Sequence, residues 1–181
     1  MDTSALRPLD LDWYGQSVPG APRWRLALEG EDLLLRGAVD RTPIRVPQDR
    51  PGAFAEGLWL GDVVEAFLVH PATGWYLELN LGPFGAWWAC GHTAPRIRQG
   101  PLRLDGGRTR MVAADDHWDT TLRIPVASLP QELAFDPGTT RANVTFCLGT
   151  PQQFLTVADL GDGAPDFHRP DRFLPLGELL G

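Results

Sequence analysis

The stretch GLWLGDVVEAFLVHPATGWYLELN, residues 57–80, decides the fold of this 181-residue chain. Residues 62–69 and 75–81 have the length and the β-branched and aromatic composition of β-strands. Between them, HPATG at 70–74 supplies the proline and glycine of a tight connection. The stretch therefore predicts two adjacent antiparallel strands at the centre of a sheet.

Alternation along these two strands places polar groups on one face. In the second strand the leucines form a core face, and the opposite face carries Tyr76, Glu78 and Asn80. In the first strand, Glu65 shares a face with the apolar Phe67, which is unusual for a carboxylate. We predict that this polar face meets a ligand.

The flanking sequence extends the same β pattern. Seventeen prolines and twenty glycines punctuate short apolar runs throughout the chain, as expected for strands joined by turns. We predict an all-β, single-domain, two-sheet antiparallel β-sandwich of jelly-roll-like type over residues 21–181, with residues 1–20 as an N-terminal extension that packs on it. Further strands are predicted at 23–28, 32–39, 84–89, 96–104, 108–113, 118–124 and 142–148.

The segments between and after these strands have weaker patterns. Residues 40–56 are proline-rich and predict a long surface loop. Residues 125–133 predict a short helical turn with Ser128 as its cap. The tail, 150–181, keeps several aromatic and leucine residues, and we expect it to pack across the sandwich.

Composition excludes several functional classes. A net charge of -7 and the absence of an arginine-rich stripe argue against a nucleic-acid partner. No window approaches the roughly 20 apolar residues that a membrane helix requires. The N-terminal sequence MDTSALRPLDLDWYG contains early acids and no apolar core of signal-peptide length, so a cytoplasmic location is expected.

The two cysteines are distant in sequence. Cys90 and Cys147 have no CxxC partner, so they form neither a metal knuckle nor a thioredoxin-type pair. We expect two reduced, buried thiols. A Cys90–Cys147 disulfide is the alternative, and it would require an exported protein whose leader had been removed.

Four tryptophans cluster around acidic and amide residues between positions 57 and 88. A pyranose has an apolar CH face that stacks on indole, and its hydroxyls pair with carboxylate, amide and guanidinium groups. The pattern predicts a sugar site. The alternative is that the tryptophans belong to the core, for which Trp75 is the strongest candidate. The residues concerned are Trp59, Trp75, Trp87, Trp88, Asp62, Glu65, Glu78 and Asn80.

The order W-x-x-D-x-V-E-x-F, then a hairpin and a strand ending in Asn, resembles family 9 carbohydrate-binding modules and the related DOMON-like domains. The resemblance continues through HWDTTLRIPVASL, RANVTFCL and DFHRPDRFLPL and covers most of the chain beyond residue 20. It implies that Trp59 is one of two aromatic walls around a sugar at a chain end. It also implies that Glu65 hydrogen-bonds the sugar hydroxyls.

The sequence departs from the family in two places. The second clasping tryptophan is expected after the Asn-bearing strand, where LGTPQQFLTVADLG has Phe154 instead. The family's arginine has no clear counterpart, although Arg96 and Arg98 follow the Trp87-Trp88 pair. We predict that the loop from Arg41 to Trp59 and the Trp87-Trp88 region border a ligand cleft. The predicted sugar-binding residues are Trp59, Glu65, Asn80, Trp88, Arg96 and Phe154.

Several alternatives to sugar binding stay open. Exposed aromatics with a degenerate sugar site would suit a protein partner. The DOMON resemblance implies haem as a further class, with Met111 and His117 or His92 as axial candidates. Glu65 and Glu78 could act as a glycosidase pair, but no GxSxG elbow or phosphate loop is present, and we expect a protein that is not an enzyme.

Metal and cofactor signals are sparse. The four histidines lack the i, i+2 or i, i+4 spacing of metal pairs, so no metal site is predicted, and His168 is expected to anchor the tail by hydrogen bonds. The acidic turn 159–166 offers oxygens to Ca²⁺ but lacks the EF-hand spacing, and a solvated loop is the favoured interpretation.

Overall fold

The computed structural model describes residues 6–181. Nearly all of its regular structure is β, with four short 3-10 turns and a single α-helical turn, α1 (Leu176–Leu179), near the end of the chain. In this range the strands are β1 (Arg7–Pro8), β2 (Arg23–Glu29), β3 (Asp32–Val39), β4 (Val63–Val69), β5 (Tyr76–Leu81), β6 (Trp87–Ala94), β7 (Ile97–Pro101), β8 (Arg108–Ala113), β9 (Trp118–Pro125), β10 (Arg141–Leu148), β11 (Gln153–Thr156) and β12 (Leu174–Pro175).

The strands form two antiparallel sheets packed face to face. The smaller sheet has the order β1-β2-β3-β9-β8, and the larger has the order β11-β10-β4-β5-β6-β7, with β12 also pairing with β10. The hairpin β4-β5 lies in the middle of the larger sheet, as residues 57–80 predict. The predicted single-domain, two-sheet antiparallel β-sandwich is therefore confirmed.

A hydrophobic core fills the space between the sheets. The alternate leucines Leu77, Leu79 and Leu81 of β5 all point into it, because successive strand residues face opposite sides. Trp75 also belongs to this core, in agreement with its interpretation as a core residue. Trp87 joins it, so only part of the tryptophan cluster remains for the other face of the larger sheet.

Gly37 on β3 lies where the smaller sheet packs tightly against the larger one. A Cβ atom at this position would lie 2.8 Å from the Val64 side chain and 3.2 Å from the Phe146 ring. We therefore expect Gly37→Ala to lower the free energy of unfolding by about 1–3 kcal/mol, the usual cost of overpacking a core. Urea denaturation measures the change. Gly177→Ala in α1 is the matched control, because no atom lies within 4 Å of its Cβ position, and an equal loss in both variants would contradict the steric explanation.

The strand bounds differ from the sequence prediction most clearly around residues 84–89. The observed strand β6 begins only at Trp87, because the preceding residues form a turn that the carboxylate of Asp49 holds. That carboxylate accepts the backbone N–H groups of Phe84 and Ala86, both at 3.0 Å. A partner from a distant loop thus decides where the strand starts.

The predicted helical turn at 125–133 consists of two 3-10 turns, Val126–Ser128 and Gln131–Leu133. Ser128 is not the N-terminal cap. It ends the first turn, and its hydroxyl donates to the carbonyl of Pro125 at 2.8 Å. This detail of the prediction was wrong, because the two prolines at 125 and 130 start separate turns.

Both ends of the described range pack on the sandwich. The first five residues of the predicted N-terminal extension lie outside the described range, and the rest of it supplies β1 to the smaller sheet. The tail supplies β11, β12 and α1. The short strands β1, β11 and β12 were not predicted, because two to four residues carry too little alternation to be recognised.

Both cysteines are free and buried, as predicted. Cys90 lies on β6 and Cys147 on β10, and β4 and β5 separate these two strands. Neighbouring strands lie about 4.8 Å apart, so the two Cα atoms are far beyond the roughly 7 Å limit for a disulfide. The disulfide alternative is therefore excluded.

Candidate functional site

The outer face of the larger sheet carries a row of polar and aromatic residues. On β4, Glu65 pairs with Thr145 on one side and with Asn80 on the other. Asn80 pairs in turn with Trp88 on β6, and Glu78 shares the Asn80 face two positions away along β5. Strand pairing alone therefore gathers the predicted polar face across four adjacent strands.

Two segments outside the sheet convert this face into a cleft. The 3-10 turn Leu58–Leu60 precedes β4, and the tail supplies residues from Phe154 to His168. Both pack on a second hydrophobic cluster, which contains Phe67 and Phe173. The cleft between them has a volume of about 200 Å³. Its apolar lining consists of Trp59, Phe67, Phe154, Pro165 and Phe167, and its polar lining of Glu65, Glu78, Arg96, Arg98, His168 and Cys147.

Trp59 forms a supported aromatic wall. Its half-buried indole packs edge-on against the buried ring of Trp88, with 5.7 Å between the ring centroids. The guanidinium carbon of Arg98 lies 5.1 Å from the Trp59 ring centroid, a cation–π distance. Phe154 borders the same cleft and meets Phe167 edge-on at 6.0 Å. The rings are held by packing before any ligand arrives.

Glu65 is the buried carboxyl group at the base of the cleft. Its Oε2 accepts a hydrogen bond from the Thr145 hydroxyl at 2.9 Å. Burial, together with the nearby charge of Glu78, raises the pKa of Glu65 to about 8, because desolvation disfavours the ionised form. Glu65 is therefore protonated at neutral pH and can donate a hydrogen bond.

Glu78 is held in the opposite charge state. Burial by itself would raise its pKa, but hydrogen bonds from His92 and Asn80 outweigh burial and leave the pKa lowered. Asn80 Nδ2 donates to Oε1 at 2.9 Å, and His92 Nε2 lies 2.8 Å from Oε2. The cleft thus contains one protonated and one ionised carboxyl group.

Two arginines lie at the exposed rim of the cleft. Arg96 pairs with Asp166 at 2.8 Å, and Arg98 pairs with Glu56 at 2.6 Å. Since both guanidinium groups are exposed, these ion pairs contribute little to stability. They instead place fixed hydrogen-bond donors at the entrance.

His92 and His168 meet beside Glu78, although they lie far apart in sequence. Their ring centroids are 5.1 Å apart, and one ligand atom from each of the three residues lies within 4.8 Å of the others. His168 Nδ1 is 2.8 Å from the Tyr76 hydroxyl, so it anchors the tail as predicted. Burial lowers the pKa of His168 to about 4. These three residues are the group of the described chain that could hold a metal ion.

The structure gathers all six predicted site residues in one region but gives them different positions. Trp59, Glu65, Arg96 and Phe154 line the cleft. Trp88 lies behind Trp59, and Asn80 is fully buried behind Glu78, where its Oδ1 has no hydrogen-bond partner. These two residues position their neighbours.

Other lining residues were not among the six. Glu78 could have been predicted from the sequence, because alternation along the strand places it on the same polar face as Asn80. Arg98 could also have been predicted, because it lies two positions after Arg96 and therefore on the same side of an extended chain. Phe167 and His168 had no signal, because only the path of the tail brings them over the sheet.

The other site hypotheses receive no support from the geometry. Met111 lies on β8 of the smaller sheet, whereas His92 is buried on the larger sheet, and His117 pairs with its neighbour Asp116 at 2.7 Å. No axial haem pair with His92 is formed. In the acidic turn, the Asp159 carboxylate accepts the Gly161 N–H at 2.9 Å, and residues 159–166 contribute no group of three metal ligands within the described range.

No helix in residues 6–181 is long and apolar enough to span a membrane.

The architecture is that of a β-sandwich with the fold of family 9 carbohydrate-binding modules, as the sequence resemblance indicated. A candidate carbohydrate-binding protein from Bacteroides uniformis is similar over 93% of this chain and 83% of its own length, with a TM-score of 0.71 and 19% identity. The DOMON-like assignment stays a prediction.

Two structures of a family 9 carbohydrate-binding module from Caldicellulosiruptor kristjanssonii are also similar, each at 12% identity. The complex with glucose has a TM-score of 0.59, with 96% of this chain and 85% of that chain covered. The complex with cellotriose has a TM-score of 0.57, with 93% and 78% covered. The sequence matches no protein-family model, and no curated protein matches it.

Proposed function

We propose that this protein binds carbohydrate, with one sugar ring of a chain end seated in the cleft against Trp59. The observation that carries the proposal is an indole wall beside carboxyl and guanidinium groups in a cleft of about 200 Å³. That volume is below the roughly 300–1,000 Å³ of sites for drug-sized ligands and suits a single small ring. The related folds solved with glucose and cellotriose support the same ligand class.

The polar groups of the cleft include both hydrogen-bond donors and hydrogen-bond acceptors for sugar hydroxyls. Protonated Glu65 donates, ionised Glu78 accepts, and the rim arginines donate from the entrance. A hydroxyl group is both donor and acceptor, so a ring with several hydroxyls can use all of these groups. Phe154 borders the cleft in the tail segment where the family resemblance implies a second tryptophan, and it serves as the second, smaller wall.

Binding without catalysis agrees with the state of the two carboxyl groups. Both oxygens of Glu78 already have protein partners, which disfavours the attack on a sugar carbon that a retaining glycosidase requires. Glu65 also accepts from Thr145. The geometry therefore favours recognition over hydrolysis.

We expect Trp59→Ala to weaken sugar binding by about 10- to 100-fold, because a desolvated aromatic contact contributes roughly 1–3 kcal/mol. The measurement is a titration with mono- and oligosaccharides, glucose and cello-oligosaccharides included, followed by intrinsic tryptophan fluorescence. The folding free energy should change far less than the binding free energy, because the Trp59 indole is only half-buried. An equal loss of stability would instead assign Trp59 to the core.

Phe135→Ala is the matched control, because Phe135 is also half-buried but packs on the core between the sheets and does not line the cleft. Its sugar affinity should equal that of the wild type. A flat response of the wild-type protein across the whole panel would contradict the proposal. The alternative would then be a protein partner that binds the exposed Leu60 beside Trp59.

A further inference from the structure

The residues Glu78, His92 and His168, here called the His–Glu triad, come from three separate elements of the chain. Glu78 lies on β5, His92 on β6, and His168 on the tail that crosses the outer face of the sheet. One ligand atom from each lies within 4.8 Å of the others, and both Glu78 and His92 are buried. Two imidazoles and a carboxylate at this spacing match the ligand set of open transition-metal sites.

Neighbouring residues orient each member of the triad. Asn80 donates to Glu78 Oε1, which leaves Oε2 facing His92. The Tyr76 ring stacks on His92 with 4.4 Å between centroids and an interplanar angle of 6°. The Tyr76 oxygen lies 2.8 Å from His168 Nδ1. When that nitrogen donates its proton to Tyr76, Nε2 of His168 is free to bind a metal, the arrangement typical of metal-bound histidine.

The cleft connects the His–Glu triad to solvent. Glu78 and His168 both line the cleft, so an ion can enter from solvent and keep positions open towards a ligand. His92 Nδ1 is buried and has no hydrogen-bond partner.

We propose that the His–Glu triad binds a divalent transition-metal ion through Glu78 Oε2, His92 Nε2 and His168 Nε2. In the metal-bound state His92 carries its proton on Nδ1, so that Nε2 presents its lone pair to the ion. Three protein ligands leave at least one coordination position open towards the cleft. The inference rests on the triad alone and does not require that the cleft binds a sugar.

Zn²⁺ titration of the full chain after removal of metals with a chelator tests this inference. Calorimetry should show one Zn²⁺ bound per chain, and Co²⁺ should give the visible absorption of a four- or five-coordinate ion with nitrogen ligands. His168→Ala should lose both signals. His117→Ala is the matched control, because His117 is exposed and distant from the triad in the sheet topology, and it should retain both.

Tyr76→Phe keeps the aromatic ring and removes only the hydroxyl partner of His168. It should bind Zn²⁺ roughly 10- to 100-fold more weakly, the usual cost of losing an orienting group, and it gives a test if His168→Ala does not fold. Absence of stoichiometric Zn²⁺ uptake by the wild type, or unchanged uptake by His168→Ala, overturns the proposal. Sugar titrations performed with chelator present keep the outcome of the carbohydrate proposal separate.

Discussion

Asp62→Ala should lower the free energy of unfolding by about 3 kcal/mol, because it leaves a partly buried arginine and two backbone N–H groups without their acceptor. The Asp62 side chain is fully buried, and its Oδ1 accepts from Arg41 at 2.5 Å and from the Gly149 N–H at 2.8 Å. Its Oδ2 accepts the Ile44 N–H at 3.0 Å. One carboxylate thus joins the start of β4 to two loops.

Urea denaturation at neutral pH measures this loss, and Asp40→Ala is the matched control. Asp40 pairs with Arg23 at 2.6 Å, but its carboxylate side chain is 55% exposed, so the control should lose about 1 kcal/mol or less. Equal losses of unfolding free energy in the two variants would show that the buried Asp62 network stabilises the fold no more than an exposed ion pair does. Because Asp62 follows the turn that carries Trp59, the variant should also bind sugar more weakly.

Glu65→Gln should make the protein much more stable than the wild type at pH 9 and should change its stability by only about 1 kcal/mol at pH 5. The pKa of Glu65 rises from 4.5 to about 8 on folding. Between these values the folded state holds a proton that the unfolded state has lost, so wild-type stability falls as pH rises through this window. Glutamine has no proton to lose, and the gain above pH 8 is on the order of 4 kcal/mol, since one pKa unit corresponds to about 1.4 kcal/mol.

Urea denaturation at several pH values from 5 to 9 measures the difference between the two proteins. Titrating groups far from Glu65 contribute equally to both curves, so the difference reports Glu65 together with Glu78, whose charge acts on it. Glu132→Gln is the control, because Glu132 is exposed, and its curve should follow that of the wild type. Parallel curves for Glu65→Gln and wild type would mean that Glu65 is ionised in the folded protein at neutral pH.

Much of the larger sheet could be predicted because its signals are local. The hairpin connection at 70–74 lies between two strand-like runs, and alternation assigned Leu77 and Leu79 to the core and Glu78 and Asn80 to the opposite face. The start of β6 could not be predicted, because it depends on Asp49, which is 35 residues away from Phe84 in the chain.

The candidate site was predicted less completely than the sheet. Trp59 and Glu65 were found through their motif, and both line the cleft. Their function as sugar ligands stays a prediction. His92 and His168 were not predicted to share a metal site, because their spacing along the sequence gives no sign of it. Their proximity depends on a tail that folds back over the sheet.

The sequence by itself determined the fold class, the two faces of β4 and β5, and the face on which a ligand site would lie. These properties follow from the alternation of side chains along a strand, which needs no knowledge of distant partners. Only the tertiary structure decided which of these residues line the cleft, the opposite charge states of Glu65 and Glu78, and the meeting of the His–Glu triad. Burial and contacts such as Thr145–Glu65, 80 residues apart, and Tyr76–His168, 92 residues apart, produce these properties. A desolvated carboxyl group acquires its pKa only from the neighbours that the complete fold places around it.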